Sequence, residues 1–155
     1  MGIDELIEAV QSYRADDAFR ARLDLGQWRQ FAAYLTAYQL RAGDLLIKQN
    51  DCDRAAYFVG QGTLQVYVSG AAPGTSRIAL MRPGALVGET GLFSDQPHSA
   101  NVEAMTPSIV WALHLPRFEE LTARAPLIAN EVLRAAGAVM VARLRASLTL
   151  RIAVA

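Results

Sequence analysis

Glu89 is the residue with the most chemistry gathered around it. It stands in the run Val87-Gly88-Glu89-Thr90-Gly91-Leu92-Phe93, and Pro97-His98-Ser99-Ala100 follows before a strand-like stretch at Asn101-Val102. Glycines bracketing a turn that leads into a short helix aim several backbone N–H groups at one spot, and the helix start adds partial positive charge. That is an anion site. A carboxylate inside it would repel a phosphate, so the useful role for Glu89 is to accept hydrogen bonds from sugar hydroxyls. Together these features suggest a ligand whose phosphate and ribose are both read. Gly88-Glu89 on its own is more simply an ordinary turn with a surface acid, and the surroundings have to shift that balance.

Other reactive groupings are weaker. His98 and His114 are the only histidines, and a metal site needs three or four converging ligands, so no metal is expected. Ser99 beside His98 is no hydrolase signature, because neighbours on a strand point to opposite faces and there is no Gly-x-Ser-x-Gly elbow. No catalytic residue is expected, and the chain is read as not an enzyme. Cys52 has no second cysteine to pair with, which fits a reducing, cytoplasmic setting.

These groups must be positioned by a chain of 155 residues, 52% hydrophobic, which suits one domain with a substantial core. Its 15 basic and 15 acidic side chains cancel, so no global field draws it to nucleic acid or an anionic membrane. The charges are unevenly spread. Asp4, Glu5, Glu8, Asp16, Asp17 and Asp24 crowd the first residues, while beyond Glu131 come Arg134, Arg143, Arg145 and Arg151 with no acid. Solvated faces explain this more simply than a docking patch does. The acidic start lacks the pattern of a signal peptide. The apolar run Ala135 to Ala142 is too short to span a bilayer.

Along the chain, Leu6, Ile7, Val10 and Tyr13 recur at helical spacing, a second helical patch is plausible over Asp17 to Leu23, and a third runs from Gln27 to Tyr34. The period then changes. Short runs at Tyr38-Leu40, Leu45-Ile47, Tyr57-Val59, Leu64-Val68, Arg77-Met81, Leu86-Val87, Asn101-Ala104 and Ile109-Leu115 alternate with turn residues, and a flexible loop is expected at Gly70 to Thr75. About eight strands at this spacing suit a sandwich or barrel. After Pro116, Phe118 and Leu121 mark a short helix, and Pro126 suits the first turn of a longer one. The small residues Ala135-Ala136-Gly137-Ala138 make its surface narrow, fit for covering the barrel, for a helix pair across a dimer, or for both. Residues 148–155 fit a helix end or a strand.

Several markers occur in order: Gly43-Asp44 with Leu46-Ile47, Asn50-Asp51, Tyr57-Phe58-Val59 before Gly62, Leu64 and Val66, then Pro83-Gly84, then Gly88-Glu89-Thr90-Gly91-Leu92-Phe93 with Ser99-Ala100. From about Trp28 to Leu144 the chain resembles the cyclic nucleotide-binding domain, the sensor module of the catabolite activator protein, of cyclic-nucleotide-dependent kinases and of gated channels.

The resemblance implies an α+β, mainly β fold: an eight-stranded antiparallel jelly-roll-like β-barrel with N-terminal helices and a C-terminal helix pair. Residues 1–34 would be the helical N-terminal segment, 35–115 the barrel with its phosphate-binding cassette at 87–102, and 116–155 the C-terminal helices, all one domain. It implies a regulatory signalling role, with cAMP or cGMP as ligand, no required cofactor, and an effector protein as partner. The family's DNA-binding helices would follow the long C-terminal helix, where this chain stops, so direct DNA reading is not expected. A homodimer through the C-terminal helix stays open beside the reading in which that helix only covers the barrel. Carried across residue by residue, Gly88 and Thr90 would supply N–H groups, Glu89 the ribose contact, and Ser99 and Ala100 part of the phosphate contact. Where the family has its phosphate-gripping arginine, this sequence has His98. Arginine presents a fixed charged fork, and histidine at most two donors. Losing one partner of a desolvated charge pair costs about 2–5 kcal/mol, roughly thirty- to several-thousand-fold in affinity. Arg77 and Arg82, on neighbouring strands, are the candidate substitutes. The competing reading is a degenerate module that no longer binds nucleotide and serves as a dimerisation or docking scaffold. Asn50 replaces a usual glycine, and asparagine tolerates the left-handed turn required there.

Overall fold

The computed structural model describes residues 1–70 and 77–154, with side chains for 1–70 and 79–148. The expected loop at Gly70 to Thr75 falls mostly outside the described residues, as does the side chain of Arg77. Two helices come first, α1 (Ile3–Ser12) and α2 (Leu25–Ala32). The strands follow: β1 (Thr36–Leu40), β2 (Leu45–Ile47), β3 (Ala55–Gln61), β4 (Leu64–Tyr67), β5 (Arg77–Met81) and β6 (Leu86–Val87). A short α3 (Thr90–Phe93) precedes β7 (Asn101–Ala104) and β8 (Ser108–His114), and α4 (Leu115–Arg124) and α5 (Pro126–Val154) close the order.

The strands form two antiparallel four-stranded sheets, ordered β1-β8-β3-β6 and β2-β7-β4-β5. This corrects the expectation of a mainly β, closed jelly-roll-like barrel. Closure needs every edge strand to pair with the next, and no ladder joins the sheets among the described residues. The edges β6 and β2, with two and three residues, have little ladder to offer. The helices also hold more residues than the strands, α5 alone running to 29, so the fold is α+β with substantial helix.

The first sheet divides two cores. On β3, Ala55, Tyr57 and Val59 face the second sheet, where they meet Ile47, Leu64 and Val102, while Ala56 and Phe58 face the helices. On β8, Val110 and Ala112 take the first side, and Trp111 and Leu113 the second. A strand covered on both faces reads as a continuous apolar run rather than an alternating one. Phe58 anchors the helical layer, with edge-on contacts to Phe19 at 5.0 Å and Phe31 at 5.9 Å between ring centroids.

Local signals explain the helix limits. Asp24 accepts from the Gln27 N–H at 2.8 Å while the Gln27 side chain accepts from the Asp24 N–H at 3.0 Å, a capping box that starts α2. The helix expected over Asp17 to Leu23 is absent. Phe19 is buried, and the backbone of this segment bonds to α5 instead of to itself: the Arg22 N–H donates to Glu131 at 2.8 Å, and Arg134 donates to the Arg20 carbonyl at 3.1 Å. Residues 148–154, left open between helix and strand, continue α5. Among the described residues no helix is long and apolar enough to cross a membrane.

Candidate functional site

The chain leaves β6 at Val87 and turns at Gly88, whose φ is +72°. A Cβ there would stand 2.8 Å from Ile47 Cδ1 and 3.3 Å from the Ala55 carbonyl oxygen, so both conformation and space call for glycine. Gly91 is similarly confined, with an added Cβ 3.0 Å from the Ala55 carbonyl and 3.1 Å from that of Asp53. The start of α3 therefore lies directly on the backbone that enters β3. Glu89 sits just before α3 and is buried, while Thr90 is exposed.

The Glu89 carboxylate has a partner in Arg143 of α5, whose Nη1 donates to Oε2 at 2.7 Å. The same guanidinium donates through Nε to Asp17 Oδ2 at 2.9 Å and through Nη2 to the Leu86 carbonyl at 2.6 Å. One side chain thus joins α5, the cassette, the first residue of β6 and the segment after α1. Two carboxylates share one partly exposed cation, and the Leu86 carbonyl takes a further donor, so the buried carboxylate is compensated.

His98 is buried behind the cassette, and its Nε2 lies 3.0 Å from the Asp53 carbonyl oxygen. A carbonyl only accepts, so Nε2 carries the proton and donates. The His98 main chain adds two bonds to the same loop, its N–H donating to the Asp51 carbonyl and its carbonyl accepting from the Asn50 N–H, each at 2.8 Å. Asn50 takes the left-handed conformation there, with φ 75°. Tyr57 holds Asp53 from the other side, its hydroxyl donating to Oδ2 at 2.7 Å, and burial, followed by this bond, raises the phenol's pKa. Arg54 Nε donates to the Gly91 carbonyl at 3.0 Å. Ser99 is exposed and Ala100 half-buried, both on the bend leading into β7.

The six expected site residues therefore divide. Gly88, Glu89 and Thr90 form the turn into α3, Ser99 and Ala100 lie on the return, and the His98 side chain is turned onto the β2–β3 loop. Arg82 lies elsewhere, beside α1 at the Pro83-Gly84 turn. His114 is on β8, where its Nε2 lies 2.9 Å from the Tyr38 hydroxyl. Among the described residues no group of three His, Cys, Asp or Glu side chains gathers as a metal requires. Leu92 joins the helix-side core, and the exposed Phe93 ring comes within 3.9 Å of where a Cβ on Gly137 of α5 would lie. Sequence reasoning missed Arg143 and Asp17 as site residues. The available signal was the acidic start facing an acid-free, arginine-bearing end.

Two facing sheets thus carry a buried glutamate at a glycine turn that is tied to a C-terminal helix, and comparison with known proteins gives the family in which this arrangement stands. The chain belongs to the family described as the cyclic nucleotide-binding domain, whose sequence model matches residues 38–125. It is 25% identical over 118 residues to a cAMP-dependent protein kinase regulatory subunit of Blastocladiella emersonii, a match covering 76% of this chain and 29% of that protein. The chain spans less than a third of the length of this relative. A solved cyclic nucleotide-binding domain from Methylobacillus flagellatus shares the fold, with TM-score 0.81 and 21% identity over 99% of this chain and 84% of that one. The catabolite activator protein of Thermus thermophilus matches with TM-score 0.70 and 26% identity, over 84% of this chain and 60% of that one.

Proposed function

We propose that the chain is a cyclic nucleotide sensor, with cAMP or cGMP as its ligand, that passes occupancy on to another protein. The reading rests on one observation: the buried Glu89 carboxylate of the family's cassette is bound by Arg143 of the C-terminal helix at 2.7 Å. A ribose hydroxyl donating to Glu89 competes with that guanidinium, while N–H groups at Gly88 and Thr90 and the bend at Ser99 and Ala100 receive the phosphate. Release of Arg143 loosens α5 from the cassette and from Asp17, and Phe93 against Gly137 transmits the same displacement. A ligand that favours one position of α5 over another makes the module a switch.

The alternative, a scaffold that no longer binds nucleotide, has its own support. The His98 side chain is engaged with the Asp53 carbonyl, and α5 exposes Val141, Leu144 and Leu148 at the three- and four-residue spacing of a helix–helix seam, which suits a second copy. Calorimetric titration with cAMP and with cGMP separates the two. The sensor reading expects saturable heat with the native chain and tighter binding after Arg143→Ala. Heat seen only after His98→Arg would decide for the scaffold.

A further inference from the structure

A cavity of about 670 Å3 lies between α1, the segment that follows it and the middle of α5. Ligand pockets commonly enclose about 300–1,000 Å3. None of the cassette residues Gly88 to Ala100 lines it, so it is separate from the nucleotide site. Its floor is apolar: Phe19, Trp28 and Ala135 are buried, and Ala138 one turn further on adds no bulk. Trp28 Nε1 is buried and has no hydrogen-bond partner among the described residues.

The rim has the opposite character. Arg14, Arg20, Arg22 and Arg134 line the cavity against one acid, Asp16. Two of these cations are engaged: Arg134 pairs with Glu131, and Arg20 donates to the Ala15 carbonyl at 2.9 Å. Arg14 gives one bond of 3.3 Å to the Gln11 carbonyl, and the Arg22 guanidinium makes no hydrogen bond among the described residues, its charge being felt by Glu131, which Arg134 already binds. Two under-used guanidiniums therefore overhang a flat aromatic and small-residue floor. A neutral hydrophobe would leave the charges unanswered, and a small hydrophilic anion would leave the floor uncovered.

We propose that this cavity is a second binding site, for a small anionic amphiphile whose aromatic or short aliphatic body lies on Phe19, Trp28 and Ala135 and whose carboxylate, sulfonate or phosphate group is held by Arg14 and Arg22. The intact chain is titrated with the fluorescent sulfonate 1-anilinonaphthalene-8-sulfonate and with neutral N-phenyl-1-naphthylamine. The expected result is one saturable site for the sulfonate, weakened at least about tenfold in an Arg14→Ala/Arg22→Ala variant, as for lost charged hydrogen bonds. The neutral probe's affinity is the same in both. Ala138→Leu fills the floor and abolishes binding of both probes. All three positions are exposed, so the variants keep the fold, which far-ultraviolet circular dichroism checks. Equal sulfonate affinity in the native chain and the double variant, or undiminished binding in Ala138→Leu, overturns the proposal.

Discussion

Arg143 Nη1 lies 2.7 Å from Glu89 Oε2, joining two residues 54 positions apart in sequence. The bond makes the cassette and the C-terminal helix parts of one electrostatic unit, with Asp17 as its third member. Neither carboxylate is isolated, yet both depend on the same guanidinium.

Removing that guanidinium strands a buried charge. Arg143→Ala is expected to destabilise the chain by about 2–3 kcal/mol, below the usual figure for a fully buried pair because Arg143 keeps some contact with water. Glu89→Gln in the same background should recover part of the loss, since a neutral amide tolerates the pocket better. Urea unfolding of the two single variants and the double variant gives the coupling between these residues, and additive losses would contradict the pairing.

The His98 side chain is expected to act on stability through the β2–β3 loop. His98→Ala removes the bond to the Asp53 carbonyl and should cost about 1–2 kcal/mol, one hydrogen bond plus the small cavity left behind. Hydrogen exchange should quicken selectively at residues 50–54, and a uniform increase across the sheets would show that the tether is not local.

Alkaline pH should test Tyr57. Burial, first, and the hydrogen bond to Asp53, second, raise its pKa, so the fold favours the neutral phenol. The stability this supplies is complete below the ordinary tyrosine value of about 10 and is lost as pH rises through the higher folded value. Unfolding midpoints measured from pH 8 to pH 11 should therefore fall less steeply for Tyr57→Phe than for the native chain. The variant should start about 1 kcal/mol lower at neutral pH. Parallel curves would mean that Tyr57 ionises freely in the folded chain.

The strands were legible because their apolar runs and turn residues are local features, and each of the eight expected runs lies on or overlaps a strand. Closure was not, since it depends on whether edges such as β6 and β2 meet, and an edge leaves no mark in composition. The segment Asp17 to Leu23 misled because its apolar residues suit a helix, whereas the hydrogen bonds that decide its path come from Glu131 and Arg134, more than a hundred positions away. The turn at Gly88 was visible in its glycines. The partner of its glutamate was not, because Arg143 lies on a distant helix and only the lopsided charge of the two ends hinted at a meeting. The histidine at position 98 was plain from sequence, but the direction in which its ring points is a tertiary fact.

Among the described side chains the last buried residue of α5 is Val139, and the helix runs on to Val154. From Arg143 to its end the axis extends about 16 Å, at roughly 1.5 Å per residue. The guanidinium therefore sits between an inner arm packed on the core and a shorter outer arm that lies beyond it. A tilt of about 10° at that point would carry the tip through about 3 Å by the same geometry, a displacement the width of a side-chain contact.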